Sequence, residues 1–128
     1  MLMRRNRIQY LKLREQARSL AASRIIHFNS HYQVPIGKVF IKNHKSRWGS
    51  CSAKGNLNFN YKIVLLPLSL TDYVIVHELC HLKEFNHSTK FWAKVAETLP
   101  NHKELRLQLR DIERVKEPIK KVWRFPWI

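Results

Sequence analysis

Between residues 8 and 28, apolar side chains recur every three or four positions: Leu13, Ala17, Leu20, Ala21, Ile25 and Phe28. That period predicts a helix with one face on a core. Its other face carries Arg14, Arg18 and Arg24. The period changes over 38–62. Val39-Phe40-Ile41 is a short β-prone run, and Leu57, Phe59 and Tyr61 alternate with Asn56, Asn58 and Asn60, the pattern of a half-buried strand. Lys54-Gly55-Asn56 is a turn signal. A small antiparallel sheet of two or three strands is expected, with a hairpin near 52–56 and the 56–61 strand at its edge.

Helical signals take over from residue 69. Ser69-Leu70-Thr71-Asp72 has the form of a capping box with Asp in place of Glu. A helix should run from there through Tyr73, Val74, Val76, Leu79 and Cys80 to about Glu84. Asn86 tolerates the left-handed conformation that ends helices. Ser88 can cap a second helix over 89–98, which carries Phe91, Trp92, Val95 and Ala96. After Pro100, Asn101 and Glu104 form another cap pair, and Leu105, Leu109 and Ile112 set the stripe of a third helix that Pro118 stops. The pattern is α+β: an N-terminal helix, a small antiparallel sheet, a central helix and two C-terminal helices. Residues 117–128, with a tail rich in Trp, Phe and basic residues, fit an extension of this unit.

At 128 residues and 45% apolar content, the chain suits one domain spanning 1–128. Two Cys exclude a disulfide scaffold. The net charge of +15 is unevenly placed: residues 1–62 hold 13 Lys/Arg against one acid, Glu15, while 63–100 are close to neutral. A basic N-terminal half of this kind is drawn to polyanions such as nucleic acid or an acidic membrane, or else is a self-repelling soluble surface, and nucleic acid is a candidate partner. No secretory signal and no apolar run long enough to span a bilayer is visible. A cytoplasmic setting, with Cys51 and Cys80 reduced, is the expectation.

The chemistry concentrates in His77-Glu78-Leu79-Cys80-His81. Two His four residues apart share a helical face, so both imidazoles can reach one metal ion. Glu78 sits about 100° further round, close enough to touch a water on that ion but poorly placed to ligate it. Zinc needs a third protein ligand and an open position for catalysis. His87 is the leading candidate, because a turn at Asn86 could return it over the metal; Glu84, Glu97 and His102 are the others. Cys80 points to the core side and reads as a packing residue. The implied chemistry is hydrolysis by a metal-activated water, with Glu78 as general base. The substrate would be a peptide or protein, docked as an extended strand on a sheet edge. A non-peptide amide or ester is compatible with the same chemistry, and a nucleic-acid-associated protein with structural zinc, or one serving DNA-linked proteolysis, is the alternative. Trp48 reads as a core plug, and Arg47 as either its surface neighbour or an anion-binding group.

The strings SRWGSCSAKGNLNFN (46–60), DYVIVHELCHL (72–82) and NHSTKFW (86–92) resemble the YgjP-like metallopeptidases, small zincins related to the SprT-like proteases. The resemblance implies a minimal zincin-like fold and zinc-dependent peptidase activity. It also implies ligands at His77, His81 and His87 and a base at Glu78, and it makes Arg47-Trp48-Gly49 a family feature near the site. A metzincin is excluded: Glu84 stands where those proteins have Gly, and the only Met residues, Met1 and Met3, cannot form their Met-turn.

Overall fold

In a computed structural model, which describes residues 2–116, the elements run in the order α1 (Leu2–Tyr32), β1 (Val39–Lys42), β2 (Gly49–Cys51), β3 (Leu57–Asn60), a 3-10 turn (Tyr61–Leu65), α2 (Leu68–His81), α3 (Thr89–Thr98) and α4 (His102–Lys116). Helix α1 outruns its predicted span at both ends. Its buried stripe is Ala17, Ala21, Ile25, Phe28 and Tyr32. It stops where Gln33 takes φ +53°, a left-handed conformation. Asn29 fastens that turn, accepting from Val34 N–H and donating to Val34 C=O, both at 3.0 Å. Pro118 and the 117–128 tail lie outside the described residues.

The sheet has the order β1-β3-β2. Its hairpin falls where expected: Ser52–Asn56 link β2 to β3, with Gly55 at φ +90°. Two expectations are corrected. The sheet is mixed, since β1 pairs with β3 in parallel and only β2–β3 is antiparallel. The 56–61 strand is also central, which leaves β2 as an outer strand among the described residues. An alternating pattern specifies which face is buried but not strand direction or order, so neither property was encoded in it. Asn60 breaks the alternation: it is fully buried, and its amide donates to the carbonyls of His44 and Arg47, each at 3.0 Å, while its Oδ1 accepts from Lys62 N–H. A buried amide is tolerable only when paired in this way. Here the pairing holds the 43–48 loop against the end of β3.

Helix α2 is the centre of the core. Leu70, Tyr73, Val74, Ile75, Val76, Leu79 and Cys80 are all buried, and the helix packs on α1, α3, α4 and β2. Its start differs from the capping-box expectation. Pro67 precedes it with no side-chain cap, and Asp72 instead receives a bidentate pair of hydrogen bonds from Arg24 of α1, at 2.7 and 3.0 Å. It also ends earlier, at His81 rather than near Glu84. Helix α3 matches its predicted span, with Ser88 Oγ accepting from Phe91 N–H. No helix among the described residues is long and apolar enough to cross a membrane.

The Arg24–Asp72 pair is half-sheltered and well aligned, so it should contribute at the level of a charged hydrogen bond. Asp72→Ala is expected to lower stability by about 1–3 kcal/mol. Urea unfolding checks this, and a double-mutant cycle with Arg24→Ala should recover most of the loss as coupling.

Candidate metal centre

Three imidazoles meet at the C-terminal end of α2. His77 is buried one turn before the helix end, and His81 is the last helical residue. Beyond it the chain turns through Leu82 and Lys83, whose N–H groups donate back to Leu79 and Cys80 carbonyls, and the connection to α3 returns His87 over the helix end. His81 Nε2 lies 2.9 Å from His87 Nε2, and His87 Nε2 lies 3.3 Å from His77 Nε2. His77, His81 and His87 are the one such group of potential ligands among the described residues, with their donor atoms all within 4.8 Å of one another.

These residues fit a metal ion. A tetrahedral zinc with bonds of about 2.0–2.1 Å holds its nitrogens about 3.3–3.4 Å apart. The His77–His87 spacing agrees with that, and the His81–His87 spacing is slightly tighter. The tautomer of His81 is also set: its Nδ1–H donates to the Glu84 carbonyl at 3.2 Å, which turns the Nε2 lone pair toward the other two rings. Burial holds all three imidazoles below their ordinary pKa, with His77 lowered furthest. Neighbouring rings add to the effect on His77 and His81, and Arg106 adds to it on His77 and His87. They are therefore neutral, as ligands must be, at neutral pH.

The other candidates for third ligand lie elsewhere. Glu84 contributes its backbone carbonyl. Glu97 pairs with His31 at 2.9 Å on the α1–α3 surface. His102 stacks on Trp92, with ring centres 5.2 Å apart. Cys80 is a core residue, as expected. An aromatic wall supports the imidazoles: Phe91 of α3 touches His77, His81 and His87 at 5.2, 4.5 and 5.0 Å between ring centres, and Trp92 stacks on His87. The sequence marked both as packing residues of α3. Their place four and five residues after His87 was the available signal for this second role.

Glu78 is buried on α2, facing β2. A Cβ on Gly49 would lie 3.1 Å from Glu78 Cγ and 3.1 Å from the Asn58 carbonyl, so the carboxylate side chain packs on bare glycine backbone, and a methyl there would push it or the strand aside by a few tenths of an ångström. On the same strand the Cys51 thiol interacts with Glu78. Burial first, and then that carboxylate, push its pKa up to about 12. No local sequence signal announced this contact. Trp48 is the core plug expected of it, and its indole N–H donates to Glu113 of α4 at 3.1 Å. Arg47 is exposed, and its backbone carbonyl is what binds Asn60.

The lowered imidazoles carry a pH dependence. In the unfolded chain they protonate near 6.5, but in the folded protein only below it, so the unfolded state binds more protons in that window and stability falls as pH drops from about 6.5. Burial lowers His44 and His102 as well. Glu113 runs the other way: burial raises it to about 7, a single group opposing five. EDTA-treated protein should therefore unfold at lower urea at pH about 5.5 than at about 7.5.

Two solved structures share this architecture. The crystal structure of the metallopeptidase zymogen abylysin from Pyrococcus abyssi is 28% identical at a TM-score of 0.63, covering 70% of this chain and 90% of that one. The metallopeptidase zymogen jannalysin from Methanocaldococcus jannaschii is 25% identical at 0.57, covering 77% and 96%. No curated protein matches the sequence significantly. The family description "YgjP-like, metallopeptidase domain" matches residues 3–112, a span that reaches from the first turn of α1 well into α4 and includes the whole His77–His87 segment; the chain belongs to the YgjP-like metallopeptidase family.

Proposed function

We propose that this metallopeptidase is a zinc enzyme in which His77, His81 and His87 hold the ion and Glu78 is the general base of peptide-bond hydrolysis. The convergence of three neutral Nε2 atoms carries the reading, because a set of three imidazoles suits zinc among the common divalent ions and leaves a fourth position open. When bound, zinc supplies Lewis acidity to a carbonyl and lowers the pKa of a coordinated water toward about 7.

The remaining roles belong to the chain itself. Glu78 takes the proton of the attacking water and returns it to the leaving amine. Gly49 gives its carboxylate room, and the Cys51 thiol of the same strand lies close enough to interact with it. Strand β2 lies beside Glu78, and its outer edge can pair with an extended peptide, which would bring the scissile carbonyl to the base. The substrate class is accordingly a peptide or an unfolded protein segment.

Two experiments test these roles. Elemental analysis should find one zinc per chain, weakened or lost in His87→Ala. Glu78→Gln should keep the zinc while lowering kcat by about 10²–10⁴-fold on a fluorogenic peptide; undiminished turnover removes Glu78 from the mechanism. Separately, Gly49→Ala should displace the carboxylate and cut kcat by about tenfold or more with zinc content unchanged.

A further inference from the structure

Helix α4 packs through Leu105, Leu109 and Ile112, but three polar residues share that buried side: His102, Arg106 and Glu113. Two of them have clear attachments, His102 on the Trp92 ring and Glu113 on the Trp48 indole. Arg106 does not. Its guanidinium carbon lies over Trp92, 5.8 Å from the ring centre, and Trp92 in turn stacks on His87 and lies 6.2 Å from the His77 ring. Its Nε is buried with no hydrogen-bond partner, and no carboxylate pairs with it, among the described residues. The guanidinium never loses its charge. It is held half-buried over a ring that itself lies against His87 and His77, and a sheltered charge with no counter-ion among the described residues is an electrostatic cost that a purely structural side chain would avoid. Such a position is suited to receiving negative charge.

We propose that Arg106 is a catalytic residue that stabilises the oxyanion of peptide hydrolysis by donating a guanidinium N–H to the scissile carbonyl oxygen. This rests on the reading of His77, His81, His87 and Glu78 as the reacting centre. As the water oxygen bonds to the carbonyl carbon, one water proton passes to Glu78 and the carbonyl π pair moves onto oxygen, which becomes the anion that Arg106 faces. When the C=O bond re-forms, the C–N bond breaks and the amine leaves with the proton from Glu78. The charge on that oxygen grows along the reaction, so Arg106 binds the transition state more tightly than the bound substrate. A role in gripping a substrate's terminal carboxylate would instead act equally on both.

The test compares zinc-loaded wild type with Arg106→Met, which keeps the stem against Trp92, and Arg106→Lys, which keeps the charge. Peptide kinetics, zinc content and the affinity for a phosphonate peptide that mimics the tetrahedral adduct are measured for each. Arg106→Met should lose about 10²–10³-fold in kcat with KM little changed. Phosphonate affinity should fall by the same factor as kcat/KM, Arg106→Lys should recover part of both, and zinc content should not move. Wild-type kcat in Arg106→Met, a rise in KM alone, or an unmoved phosphonate affinity each overturns the proposal. So does loss of zinc in both variants, since Arg106 would then be structural. A wild-type chain that binds no zinc at His77, His81 and His87 overturns the underlying reading and this proposal together, a result distinguishable from failure of Arg106 alone.

Discussion

The whole site depends on where α2 stops. Were the helix to run on past His81, His87 would be carried away along the axis at about 1.5 Å per residue. Because it ends there, the chain folds back and three ring nitrogens come within 4.8 Å. The stop is made locally: the turn N–H groups of Leu82, Lys83 and Glu84 bond back to Leu79 and Cys80, and His81 spends its second nitrogen on the Glu84 carbonyl. One imidazole thereby both caps the turn and presents a lone pair to the site.

Around that point each neighbour restricts one degree of freedom. Phe91 sits against all three rings. Trp92 connects His87 to His102 and Arg106, so α4, which contributes no imidazole to the group, still shapes its surroundings. On the opposite side Gly49 and Cys51 bring the sheet against Glu78, and Asn60 keeps the preceding loop in place beneath them. The sheet is small, but its outer strand is set against the carboxylate through the bare backbone of Gly49 and the side chain of Cys51.

Much of this was legible in the chain because it is local. The i, i+4 spacing of His77 and His81 survives any tertiary arrangement, whereas the return that carries His87 begins at Leu82 rather than at Asn86, which takes no left-handed conformation. The stripes of α1, α3 and α4 were likewise periodic. What stayed hidden is pairing between distant segments. Alternation at Leu57, Phe59 and Tyr61 could not say that β1 runs parallel to β3 or that β3 is central. Asp72 looked like a cap because Arg24, 48 residues away, gives no local sign of being its partner. The Cys51–Glu78 contact and the approach of Glu78 to Gly49 cross from helix to sheet, and Arg106 reads as one more charge on a basic helix until Trp92 is seen beneath it.

Two members of the imidazole group ride on a buried helix, and the third rides on an exposed connection of a few residues. With two of the three rings fixed by the helix and the third already returned over its end, metal uptake would leave the rest of the fold unchanged, so its calorimetric signature would be a small heat-capacity change. This separates the molecule from zinc fingers, which have no fold before the ion arrives. The scaffold can be assembled first and charged with its cation afterwards.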